Sequence, residues 1–145
     1  MAITPSYPDF ARRAGDTAEG VFGTSQWEPV SRMPFPGSRE FIEKFQAATG
    51  QLPQYHAASA YAAGELLAKA VTAVGSLDQK KVRDFIHSLD NVTIIGRFKV
   101  DHTGLQIGHN PLIIQWQQGK KEIVYPATMQ SAPPRIDFSG KTPAP

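Results

Sequence analysis

The sequence predicts an α/β fold with three amphipathic helices, a few strands and a C-terminal hairpin. Between residues 38 and 89, three successive stretches repeat apolar residues at helical spacing. After Asn91 the period becomes strand-like, and the last two such runs flank Gln118-Gly119-Lys120-Lys121 as a hairpin. The 12 glycines and 12 prolines in 145 residues add many turns and a partly irregular chain.

Residues 1–15 read as a loop and a short helical piece, Asp9 to Ala14, closed by Gly15. Val21 and Phe22 form a strand-like run between glycines. Pro29, Pro34 and Pro36 then force an extended passage, which suits a crossing between two structural units. Ser38 is placed to cap a helix over Arg39 to Thr49, whose apolar face is Phe41, Ile42, Phe45 and Ala48 and whose stop is Gly50.

The longest helix runs from about Tyr55 to Val74. Pro53 suits its first turn, and Gly75 suits a left-handed C-terminal cap. Ala57, Ala58, Ala60, Ala62, Ala63 and Gly64 leave little side-chain bulk over two turns, so a neighbouring element can approach that backbone closely. Leu66, Leu67, Ala70, Val71 and Val74 then form a broad buried stripe. Ser76 and Gln79 have capping-box spacing and open a third helix with Val82, Phe85, Ile86 and Leu89 on one face. Val92 to Val100 reads as strand, with a turn at Asp101 to Gly104, and Leu112–Gln117 and Glu122–Tyr125 form the hairpin. From Pro126 onward the chain reads as a surface tail anchored by Ile136 and Phe138.

The 15 basic and 13 acidic residues are interspersed, for a net charge of +2. Lys80-Lys81 and Lys120-Lys121 have no aromatic stacking platform around them, so they read as solvated faces and no nucleic-acid partner is expected. The absence of cysteine excludes thiolate catalysis, disulfides and cysteine-ligated metals. The first ten residues have no basic and apolar signal regions, and no stretch approaches the roughly 18 apolar residues of a membrane span. If Met1 is the true start, a cytoplasmic location follows.

No catalytic set is apparent. Glu40, Glu43 and Glu65 sit at polar-face spacing on separate helices, and no nucleophile, base and orienting group come together. His102 and His109 flank a glycine-containing turn without a third ligand, so they read as solvated turn histidines and no metal or cofactor is expected. Gly20 to Ser25 lacks the lysine of a phosphate loop and reads as a turn. Two features remain as candidate binding groups. Tyr55 and His56 stand at the positive pole of the long helix, where an anionic or polar ligand is favoured, or where both rings are ordinary surface groups. Trp27, before Glu28-Pro29 in an extended segment, can line a cleft or plug a core.

Three segments in order, residues 15–29, 55–75 and 94–126, resemble the C-terminal part of the solute-binding proteins of branched-chain amino acid ABC transporters. The most specific pieces are Ala18-Glu19-Gly20-Val21, Ala60-Tyr61-Ala62-Ala63, the turn from Gly96 through Phe98 and Val100-Asp101 to Gly104, and Gln115-Trp116 with Gly119. The resemblance implies a partial type I periplasmic-binding-protein fold. Residues 1–24 would close the second lobe, 25–110 would be the returning part of the first, and 111–145 would hold the final crossing strands and tail.

It also implies a non-catalytic, periplasmic receptor that holds an amino acid or similar small carboxylate between two lobes and delivers it to an ABC permease. The family's aromatic ligand contact falls on Tyr55 or His56. Most of the first lobe and the body of the second are not in this sequence. The chain is therefore expected to be a fragment that binds weakly or not at all. The helices should pack on a parallel sheet whose strands are missing, and the set Phe41, Phe45, Leu66, Val82 and Phe85 has too few strands to cover it. Self-association is expected for that reason, and the alternative reading is a self-associating structural or regulatory module that has lost the ligand.

Overall fold

A computed structural model describes residues 4–30 and 33–136. In chain order these residues form helix α1 (Phe10–Ala14), strand β1 (Phe22–Ser25), helices α2 (Ser38–Thr49), α3 (Tyr55–Val74) and α4 (Gln79–Ser88), and strands β2 (Asp90–Thr93), β3 (Gly96–Lys99), β4 (Leu112–Gln117) and β5 (Lys120–Tyr125). Every strand ladder among them is antiparallel. The chain divides into two units, residues 1–25 with 111–145, and residues 26–110.

The first unit is built on a sheet of order β1-β4-β5. Central β4 pairs Gln115 with Phe22 of β1 and with Glu122 of β5. The link to β5 is a tight turn in which Gln118 and Gly119 take φ of 54° and 72°, the pair of positive angles a two-residue hairpin demands. Leu112, Ile114 and Trp116 fill one face of β4. The Trp116 indole donates to Pro5 O at 2.7 Å and leans on Phe10 with ring centres 6.2 Å apart, which seats α1 over the sheet.

Gln115 and Gln117, on the opposite face, are buried as well. Gln115 Nε2 donates to Gly20 O and Arg135 O at 3.1 and 2.7 Å, and its Oε1 accepts from the Arg135 amide at 2.8 Å and from Gln117 Nε2 at 2.8 Å. Gln117 Nε2 also donates to Pro133 O at 2.8 Å. The tail after Pro126 is thus held by the two glutamines of β4 and by Ser131, whose amide donates to Ile123 O of β5 at 2.8 Å and whose hydroxyl accepts from the Ile123 amide at 2.7 Å, and not by Ile136, which is 80% exposed. Phe138, the other expected anchor, lies outside the described residues.

The second unit packs its helices around Trp27, Phe41, Ala58, Ala62, Ala70, Val82 and Ile94. Phe41 of α2 meets Trp27 edge-on at 5.9 Å and Tyr61 of α3 at 4.9 Å. Ala58, Ala62 and Ala70, four and eight residues apart, are the buried positions of α3. Of the five residues expected to lack cover, Phe41 and Val82 are buried and Phe45, Leu66 and Phe85 are half-buried. The apolar surface left on α3 is instead Tyr61 and Leu67, about half exposed at 49% and 53%.

β2 and β3 form their own two-stranded sheet. Arg97 donates to Asp90 at 2.7 Å and Lys99 does so at 3.2 Å, and these two cations hold the Asp90 carboxyl well below the usual carboxylate range. The single strand expected over Val92 to Val100 is therefore this hairpin, turned at Ile94-Ile95. Ile94 points into the core, and a positive φ of 128° at Gly96 lets the chain reverse.

Each helix start departs from its expected cap. α2 begins at Ser38 itself after Gly37, because the Ser38 hydroxyl donates instead to Ile94 O at 2.6 Å. Pro53 lies before the N-cap residue of α3, Gln54, outside the first turn. α4 is capped by Asp78, whose carboxylate accepts from the Lys81 amide at 2.9 Å, while Ser76 accepts from the Asp78 amide at 3.1 Å. The stops stand as expected, with left-handed Gly50 and Gly75 donating to Gln46 O and Val71 O. Gly23, read as part of a turn, lies inside β1.

Candidate binding site

α3 is 20 residues long, with its positive dipole end at Tyr55. Gln54 enters in extended conformation, φ −91° and ψ 164°, and its side chain does not cap the helix. Fully buried Pro53 fixes the approach of the chain. On this base Tyr55 and His56 stack with ring centres 3.9 Å apart and planes 30° from parallel. Tyr55 is half-buried and His56 exposed, so the pair offers a polar-edged aromatic surface beside the positive helix end. A carboxylate or an aromatic acid is the chemistry such a surface favours.

Trp27 does not join them at a surface. It is 1% exposed and packed against Phe41, the position of a core plug. His102 is exposed in its turn, but His109 is not the solvated histidine expected: its Nε2 is buried. Among the described residues no group of three or more His, Cys, Asp or Glu is arranged to hold a metal ion.

The first unit carries a concavity of about 550 Å³ that no binding candidate touches. Trp116 and Ala18 line it together with Asp16, Glu19, Gln118 and Arg135. Its polar groups answer one another, since Glu19 accepts from the Gln118 amide at 2.7 Å and faces the Arg135 guanidinium at 3.5 Å. Ala18-Glu19 and Trp116 with Gly119 belong to the specific pieces of the sequence resemblance, which marks no site there.

The sequence profile of the periplasmic binding protein family matches residues 1–121, and the chain belongs to that family. Its fold is part of the type I periplasmic-binding-protein fold. A leucine binding protein from Thermotoga maritima superposes at a TM-score of 0.69 with 21% identity, over 81% of this chain and 33% of its own. An amino acid ABC transporter substrate-binding protein from Pseudomonas fluorescens Pf-5 gives 0.69 and 20%, over 85% and 36%. An ABC transporter solute binding protein from R. palustris, solved in complex with benzoate, gives 0.64 and 22%, over 90% and 36%. The chain therefore spans about a third of the length of these structures. Among its described residues no helix is long and apolar enough to cross a membrane.

Proposed function

We propose that this chain is a piece of an extracellular or periplasmic solute-binding protein that serves an ABC permease, is non-catalytic, and takes amino acids or similar small carboxylates. Residues 1–24 and 25–110 are the parts of its two lobes, and 111–145 the last crossing and tail. Family membership supports the class, and leucine and benzoate, named for two of the structural neighbours, support the ligand chemistry. The observation that carries the site is the stacked Tyr55–His56 pair at the positive end of α3. It forms one wall of a cleft, and the groups that would grip the ligand from the opposite side belong to the two thirds of the parent length not spanned here.

A single wall makes few of the contacts that offset the entropy of binding. Calorimetry with leucine, isoleucine, valine and benzoate should accordingly show no dissociation constant tighter than about 1 mM, or about −4 kcal/mol. Micromolar binding by this chain would contradict the one-wall reading. The second reading, a self-associating module, draws on the apolar surface that Tyr61 and Leu67 leave on α3. Sedimentation of the same sample should then show a concentration-dependent dimer or larger species, and a clean monomer at high micromolar concentration would remove that reading.

A further inference from the structure

The concavity of the first unit is lined by residues of that unit alone and shares none with the start of α3. β4 begins at Leu112, just after the chain enters the unit, and Trp116, Gln118 and Gly119 border the concavity at and beyond the other end of the strand. At about 550 Å³ it falls within the roughly 300–1,000 Å³ of small-molecule sites.

Its floor is apolar. Ala18 and Trp116 are buried beneath it, and the one donor of the Trp116 indole is used on Pro5 O at 2.7 Å, so the ring has only carbon surface left to offer. The rim is open. A Cβ added at Gly15 or at Gly119, both of which border the concavity, would meet no atom within 4 Å.

The charges on the wall do not cancel. Arg135 is the only basic residue that borders the concavity, and its charge is already answered. Gln115 holds the Arg135 backbone at both its amide and its carbonyl, and Glu19 faces the guanidinium at 3.5 Å. Glu19 is fixed in turn, because its other oxygen accepts from the Gln118 amide at 2.7 Å. Asp16 lies three residues before Glu19, in the short 3₁₀ turn Gly15–Ala18, and its exposed carboxylate has no partner among the described residues. The arginines of α1, Arg12 and Arg13, pair with Asp9 instead. One negative charge is left over beside an aromatic floor.

We propose that this concavity binds a small organic amine, an ammonium group carried on an apolar body, with Asp16 taking the ammonium and Trp116 and Ala18 the body. The ammonium gains a charge-assisted hydrogen bond, and the body leaves water against the indole. A carboxylate on the same body gains no such bond, since it meets Asp16 and finds Arg135 held by Glu19. The proposal stands on the first unit alone and does not need the ligand-binding reading of Tyr55 and His56.

NMR titration of the whole chain tests this at about pH 7, with phenethylamine, which is charged there, and separately with hydrocinnamate, which carries a carboxylate in the ammonium's place. The amine should give saturable shifts at the Trp116 indole N–H and the Gln118 and Gly119 amides, with a dissociation constant about tenfold or more below that of the acid. Asp16→Asn should weaken amine binding about tenfold without weakening the acid, whereas Glu65→Gln, which removes the same charge from α3, should change neither. Equal affinity for amine and acid, amine binding indifferent to Asp16→Asn, or no saturable shift at these residues up to tens of millimolar amine would each overturn the site. Should the Asp16 variant fail to fold, the comparison of amine with acid on the natural chain decides alone.

Discussion

Trp27→Ala should destabilise the second unit by about 3–5 kcal/mol, the usual cost of emptying a large aromatic site in a core. The indole is 1% exposed and lies edge-on against Phe41, which in turn touches Phe45 and Tyr61, so its removal leaves a hole that α2 cannot close without losing its register on α3. Denaturant unfolding followed at the second unit measures this loss. Trp27→Phe, which keeps an aromatic partner for Phe41, should lose less than half as much. A loss below about 1 kcal/mol for the alanine variant would mean that the site is surface-like, and would reopen a ligand role for Trp27.

Gln115→Leu should cost about 2–3 kcal/mol although it places an apolar residue at a fully buried position. Leucine cannot replace the donors to Gly20 O and Arg135 O or the acceptor for Arg135 N–H and Gln117 Nε2. Residues 133–136 should then come away from β4, while Ser131 stays bonded to Ile123 of β5. The measurement is the thermal midpoint together with exchange of the Arg135 amide, which should lose its protection entirely. A variant as stable as the natural chain, with the tail amide still protected, would show that the glutamine network is not what holds the tail.

Periodicity found the helices and capping chemistry misplaced their starts. The Phe41-Phe45 and Val82-Phe85-Ile86 spacings are properties of one segment, and so are the glycine stops at Gly50 and Gly75. The Ser38 hydroxyl is taken by Ile94 O, 56 residues away, a competition that no local pattern displays. The turn at Ile94-Ile95 was hidden for a related reason. Turns are normally polar, but here the turn residue Ile94 is 0% exposed because it points into the core of the second unit. On β4, Gln115 and Gln117 alternate with Ile114 and Trp116 as a half-solvated strand would, and the covering tail is what buries the glutamine face.

The candidate site was legible to the extent that it is local. Tyr55 and His56 are neighbours at a helix start, and their stacking needs only that helix. By sequence Trp27 fits a cleft and a core equally, and only its packing against Phe41, beyond the reach of local pattern, distinguishes them. His109 reads as a turn histidine because the glycine that makes its seat lies 13 residues earlier, on the far side of the 101–104 turn.

The ligand-facing role of the α3 start is tested most directly by NMR titration of the chain with leucine and, separately, benzoate, up to tens of millimolar, well above the roughly 1 mM bound expected for one wall. The Tyr55 and His56 resonances should shift in a saturable way, and His56→Ala should weaken the response at Tyr55. Saturable shifts confined to the concavity at Trp116 and Arg135, with none at Tyr55 or His56, would place the site elsewhere and contradict that role.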